Sequence, residues 1–175
     1  MSLAFRLFAL TLALAWSALS ATPSRAAEIR AAVAANFAQA AGEVADAFTA
    51  ETGHAIVLSF GSTGQLYAQI TQAAPFDLFL AADQARPKQL VADGLAIAES
   101  RFTYAVGRLV LWSAEPGVVT GEETLRGGAF ESLAIADPAA APYGAAAIET
   151  LDALGLTAAL RPSLVTGANI AQTFQ

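Results

Sequence analysis

An α/β fold with parallel strands is predicted here from three observations. Strand-like and helix-like segments alternate from residue 28 onward, and the joints between them are short. Glycines stand where the helices should stop, at Gly53, Gly94 and Gly155. Such alternation is the pattern of βαβ units, whose crossovers leave neighbouring strands parallel. Glycine just past a helix end is a common terminator because it accepts the left-handed conformation. No internal repeat or low-complexity linker interrupts the pattern.

The elements follow in order. Residues 28–34 are a β-compatible run ending at Ala35-Asn36. Residues 37–50 have helical spacing, which places Phe37, Ala40, Ala41, Val44, Ala47 and Phe48 on one face. Residues 55–60 are rich in β-branched and large apolar side chains and read as a second strand. Gly61-Ser62-Thr63-Gly64 is a tight polar loop, followed by a helix over 65–72. Residues 77–81 (DLFLA) make a third strand, buried on both faces by composition. Asp83 caps the turn after it, and a helix over 87–93 closes at Gly94. Residues 104–113 (YAVGRLVLWS) read as a long strand. There follow a short helix at 124–126, a strand at 133–136, a loop over 137–144 with two prolines, and a helix over 145–154. A strand at 163–166 leads to a helix starting at Ile170. That helix has barely begun at Gln175, so the natural polypeptide is expected to continue further.

The N-terminus reads as an export leader. Arg6 precedes an apolar run over 7–21, and Thr22-Pro23-Ser24-Arg25 leads to a small-residue step at Ala26. This is the order of a secretory signal, with cleavage expected near Ala26/Ala27. The run is shorter than the roughly 20 residues a membrane helix needs. With no cysteine in the chain, neither a lipid anchor nor a disulfide can form. A periplasmic protein not inserted in the membrane after cleavage is expected. The net charge of −6 argues against nucleic acid as a partner, because that needs clustered cations.

Chemistry concentrates where strands hand over to helices. At residues 58–66 a strand delivers the chain into Gly61-Ser62-Thr63-Gly64, and a helix begins at once. The free N–H groups of a first helical turn carry partial positive charge, and two hydroxyls add donors. The two glycines would let a ligand approach the backbone. An anion cradle without a cation results. An ordinary N-cap by Ser62 or Thr63 is an equally compatible reading. Asn36, Tyr143-Gly144 and Ala168-Asn169-Ile170 occupy comparable junctions, which in an open α/β sheet lie at the ligand-binding ends of the strands. The loop lacks the lysine of a phosphate-binding P-loop and the spacing of a serine-nucleophile elbow. His54 reads as a turn residue, and Asp77, Asp83 and Asp137 as caps. No metal-ion ligand set, cofactor or catalytic group is expected.

Taken together, V-A-A-N-F (33–37), S-F-G-S-T-G-Q-L-Y-A-Q-I (59–70), A-P-F-D-L-F-L-A-A-D (74–83), R-L-V-L-W (108–112) and A-D-P-A-A-A-P-Y-G (136–144) resemble the molybdate-binding proteins of ABC importers. The resemblance runs from about Glu28 to Gln175. It implies a two-lobed periplasmic binding protein that acts as a monomer and delivers its ligand to an inner-membrane ABC permease. The lobes would span residues 27–104 and 105–175, both incomplete at the C-terminus, because such proteins continue further. Position by position, it implies ligand contacts from Asn36, from Thr63 with Ser62 beside it, from Tyr143, and from the backbone N–H of Ile170. Asn36 stands where many such proteins have serine.

Every one of these groups can donate a hydrogen bond and none is a carboxylate. A protonated phosphate needs an acceptor for its own proton, so a fully ionised dianion is favoured. Molybdate is expected, with tungstate alongside it. Sulfate is the alternative, and an ester hydrolase is a more distant one. On this reading Thr63→Val weakens binding with little loss of fold.

Overall fold

The computed structural model describes residues 26–175; apart from Ala26, the leader expected over 1–26 lies outside the described residues. The chain opens with β1 (Glu28–Ala34), and a 3-10 turn (Ala35–Phe37) leads into α1 (Ala38–Thr52). Then come β2 (Ala55–Gly61), α2 (Thr63–Thr71), β3 (Leu78–Leu80) and α3 (Ala85–Ala92). After a stretch without strands follow α4 (Glu122–Gly127), β4 (Leu133–Ala136), α5 (Pro142–Ala153), α6 (Thr157–Leu160), β5 (Leu164–Gly167) and α7 (Ile170–Phe174).

All strand pairing is parallel, as the alternation requires. One sheet has the order β2-β1-β3 and the other pairs β4 with β5. Central β1 meets β2 in register from Glu28↔Ala55 to Ala34↔Gly61, and β3 through Ala31↔Leu78 to Val33↔Leu80. Its second half, Ala31 to Ala34, is buried. Small side chains there let Phe37, Ile56, Leu58 and Leu80 pack onto the core of Ala31, Val33 and Ala41. The second sheet runs from Leu133↔Leu164 to Ala136↔Gly167.

Helix ends follow their local chemistry. Gly53 caps α1 with φ 74°, and its N–H donates to Thr49 O at 2.9 Å. An L side chain there would meet the left-handed penalty. Pro142 occupies the first position of α5, where its missing N–H costs nothing.

Four expectations need correction. Residues 104–113 form no regular element and join no sheet. Their composition suits a strand, but a ladder also needs a neighbour. The buried side of α1 is Ala41 and Ala45, with Ala38 and Phe48 half-buried, while Ala40, Val44 and Ala47 are exposed. Alanine occurs all round this helix, so periodicity cannot fix its face. Strand β3 is not buried on both faces, because it edges its sheet and Leu78 is 46% exposed. Helix α5 starts at Pro142, inside the segment read as loop. Proline marked a break in that reading but serves here as the first residue of a helix.

Among the described residues, no helix is long and apolar enough to cross a membrane.

Candidate functional site

The strands of both sheets end toward one small cavity. Its walls include Asn36 after β1, Gly61, Ser62 and Thr63 after β2, and Ala82 after β3. Ala141, Pro142 and Tyr143 after β4, with Asn169 and Ile170 after β5, complete it. All five residues singled out from the sequence (Asn36, Ser62, Thr63, Tyr143 and Ile170) therefore line one cavity.

Ser62 is the N-cap of α2. Its Oγ accepts from Gln65 N–H at 3.3 Å, and Gln65 Oε1 accepts from Ser62 N–H at 3.1 Å. This reciprocal capping box satisfies two donors that would otherwise be orphaned. Asn169 caps α7, with Oδ1 accepting from Gln172 N–H at 3.1 Å, and Gln172 Oε1 accepts from the N–H of the preceding Ala168 at 2.6 Å. Gln65 and Gln172 went unnoticed in the sequence, although Ser-x-x-Gln and Asn-x-x-Gln spacing was there to find them.

Thr63 is fully buried, and its Oγ1 accepts from Ala82 N–H at 3.0 Å. A hydroxyl has one proton to give, and that proton stays free when the oxygen accepts. Ser62 is in the same position. The N-cap reading and the ligand reading of this loop are therefore compatible. Gly64 corrects an expectation. Its N–H donates to Ala140 O at 2.8 Å, so protein backbone, not a ligand, makes the close approach there.

Tyr143 is the second residue of α5, after the proline. Among the described residues, no backbone acceptor takes its N–H. Its phenol lies against the segment at Gly107, where a Cβ would collide with Oη. The peptide group of Tyr143 is thus the free donor on this wall. Ile170 opens α7 in the same way, its N–H also without a backbone acceptor among the described residues.

The lining carries no Lys, Arg, His, Asp or Glu, so neutral dipoles supply the field. Asp77, Asp83 and Asp137 accept from the backbone N–H groups of Arg30, Arg86 and Ala139 at 2.8, 2.9 and 3.0 Å. His54 Nδ1 accepts from Ala27 N–H at 3.1 Å and fastens the start of β1. Among the described residues, no group of three His, Cys, Asp or Glu could hold a metal ion.

Tyr104 supports the floor of the site. Its hydroxyl donates to Ala81 O at 2.9 Å, next to the Ala82 N–H that holds Thr63, and its ring packs on Phe37 at 5.0 Å. Burial first, and then the charge of a nearby Tyr143 phenolate, push its ionisation above the usual 10.0. The folded state thus holds this proton more tightly than the unfolded chain does, and stability falls as pH rises past the unfolded value. Urea unfolding at pH about 9 and about 11 should show that loss, and Tyr104→Phe should reduce it.

Residues 29–175 match the family described as bacterial extracellular solute-binding protein. The molybdate-binding protein ModA of Rhodobacter capsulatus is 52% identical over 155 residues, covering 89% of this chain and 62% of that protein. Its namesake in Azotobacter vinelandii is 49% identical over 174 residues, covering 99% and 69%. The solved Azotobacter vinelandii periplasmic molybdate-binding protein superposes with a TM-score of 0.81 at 40% identity, covering 83% of this chain and 64% of that one. The chain thus spans about two thirds of the length of these relatives.

Proposed function

The chain belongs to the bacterial extracellular solute-binding proteins, and from that premise we propose that it captures molybdate, and tungstate with it, for an ABC permease. One observation carries the proposal: five strand-to-helix junctions converge on a cavity lined by neutral hydrogen-bond donors and no charged side chain. Such a site favours a fully ionised tetrahedral dianion, since it holds no carboxylate to accept a ligand proton. The relatives named for molybdate point to the same anion. The periplasm is the compartment this function requires, and a monomer with a lobe on either side of the cavity suffices.

In this reading the anion takes hydrogen bonds from the Thr63 and Ser62 hydroxyls, the Asn36 amide, and the backbone N–H groups of Tyr143 and Ile170. The backbone role of Tyr143 has a direct consequence. Tyr143→Phe should change affinity less than about threefold, because the donor is retained. A loss of about tenfold or more in calorimetry would assign the phenol instead.

Isothermal titration of the purified chain with molybdate, tungstate, sulfate and phosphate tests the function. Molybdate and tungstate should bind tightly, sulfate weakly and phosphate weakest. Sulfate binding as tightly as molybdate would establish the alternative, a sulfate-binding protein. Heat from none of the four would reject an oxyanion altogether.

A further inference from the structure

Two hydrogen bonds join the two halves of the molecule just outside the cavity. Gly64 N–H, in the first turn of α2, donates to Ala140 O at 2.8 Å. Arg86 Nη2, from α3, donates to Ala139 O at 3.3 Å. Both donors follow strands of the first sheet, and both carbonyls lie in the turn after β4 of the second.

Each side is stiffened for the contact. Arg86 is held by Asp83, which accepts from its Nη1 at 3.0 Å and from its backbone N–H at 2.9 Å; this pair is partly buried. The turn is braced by Asp137, whose Oδ1 accepts from Ala139 N–H at 3.0 Å and whose backbone carbonyl accepts from Ala140 and Ala141. Two successive carbonyls are thus aimed across the cleft at two prepared donors. Space is tight as well, since a Cβ on Gly64 would lie 2.9 Å from Ala140 O and 3.1 Å from its Cα.

We propose that Gly64 and Arg86 form a clasp that holds the two sheets closed over the cavity, so that positioning residues outside the lining set how fast the ligand leaves. As a control on affinity, the clasp rests on the oxyanion reading. As a control on closure, it is measurable without ligand. Separating the halves would break both hydrogen bonds and expose the Gly64 N–H, while the cavity walls would keep their own capping hydrogen bonds.

The absence of cysteine allows two spin labels to be placed without background. Exposed Glu51 on α1 and Glu149 on α5 ride on opposite sides of the cleft. With cysteines at those positions, ligand-free Arg86→Gln and Gly64→Ala should each show a longer and broader distance distribution than the parent. Arg86→Gln should also release molybdate about fivefold faster. Gly64→Ala tests the contact by crowding, and Arg86→Gln by removing a charge without crowding. Unchanged distances in both variants would overturn the clasp. A parent that binds no anion would defeat the oxyanion reading, and the distances would still decide the clasp.

Discussion

Thr63→Val is expected to weaken molybdate binding by about 10- to 100-fold. A hydrogen bond to a charged group contributes roughly 1.5–3 kcal/mol, and every 1.4 kcal/mol is about tenfold. Thr63 is fully buried and lines a cavity without cations, so losing its hydroxyl removes one of few donors. A second cost follows from the structure and corrects the reading made from sequence. Thr63 Oγ1 also accepts the Ala82 N–H, which valine would leave unpaired. That lowers stability by about 1–3 kcal/mol. Thr63→Ser keeps both the donor and the acceptor and should restore most of the affinity and the stability. Calorimetry and urea unfolding on the two variants separate the effects. Wild-type affinity in Thr63→Val would remove this hydroxyl from the site.

Gly144→Ala should be the most destabilising of the small substitutions. In a helix, alanine is ordinarily preferred to glycine by about 1 kcal/mol. Here a Cβ would collide with the carbonyl of Ala136 at the end of β4, and with the backbone of Asp137. Backbone at a strand end cannot yield as a flexible side chain can, and overpacking typically costs about 1–3 kcal/mol, occasionally more. The expected net loss is about 3 kcal/mol, or roughly 10 °C in melting midpoint. Gly42 in α1 is the internal control, because a Cβ there meets nothing within 4 Å. Gly42→Ala should stabilise by up to about 1 kcal/mol. Equal effects of the two substitutions, read by thermal unfolding, would show that the tight approach of α5 to β4 is unimportant.

Much of this architecture was legible because local signals and tertiary packing agree. Gly53 ends α1 with the positive φ that its position implies, and residues 133–136 read as the strand observed. The junction residues were legible too, since parallel α/β topology brings strand ends together whatever the details of packing. Other features depended on partners that a linear pattern does not contain. Residues 104–113 have strand composition, yet pairing needs a neighbouring edge. The face of α1 was hidden because alanine occupies every side of the helix. Gly64 looked like a point of ligand approach, and only the position of Ala140 shows that backbone fills that space. Tyr143 was legible as a junction residue, but only its place behind Pro142 shows that its peptide N–H lacks a backbone acceptor.

The central claim is that this chain folds around a cavity selective for a tetrahedral dianion. Thermal unfolding of the purified chain, recorded with increasing molybdate and separately with sulfate, tests it most directly. A ligand that binds only the folded state raises the midpoint with the logarithm of its concentration over Kd. The predicted result is a midpoint that climbs steadily with molybdate and scarcely moves with sulfate at the same concentration. A cooperative transition that neither anion shifts would contradict it.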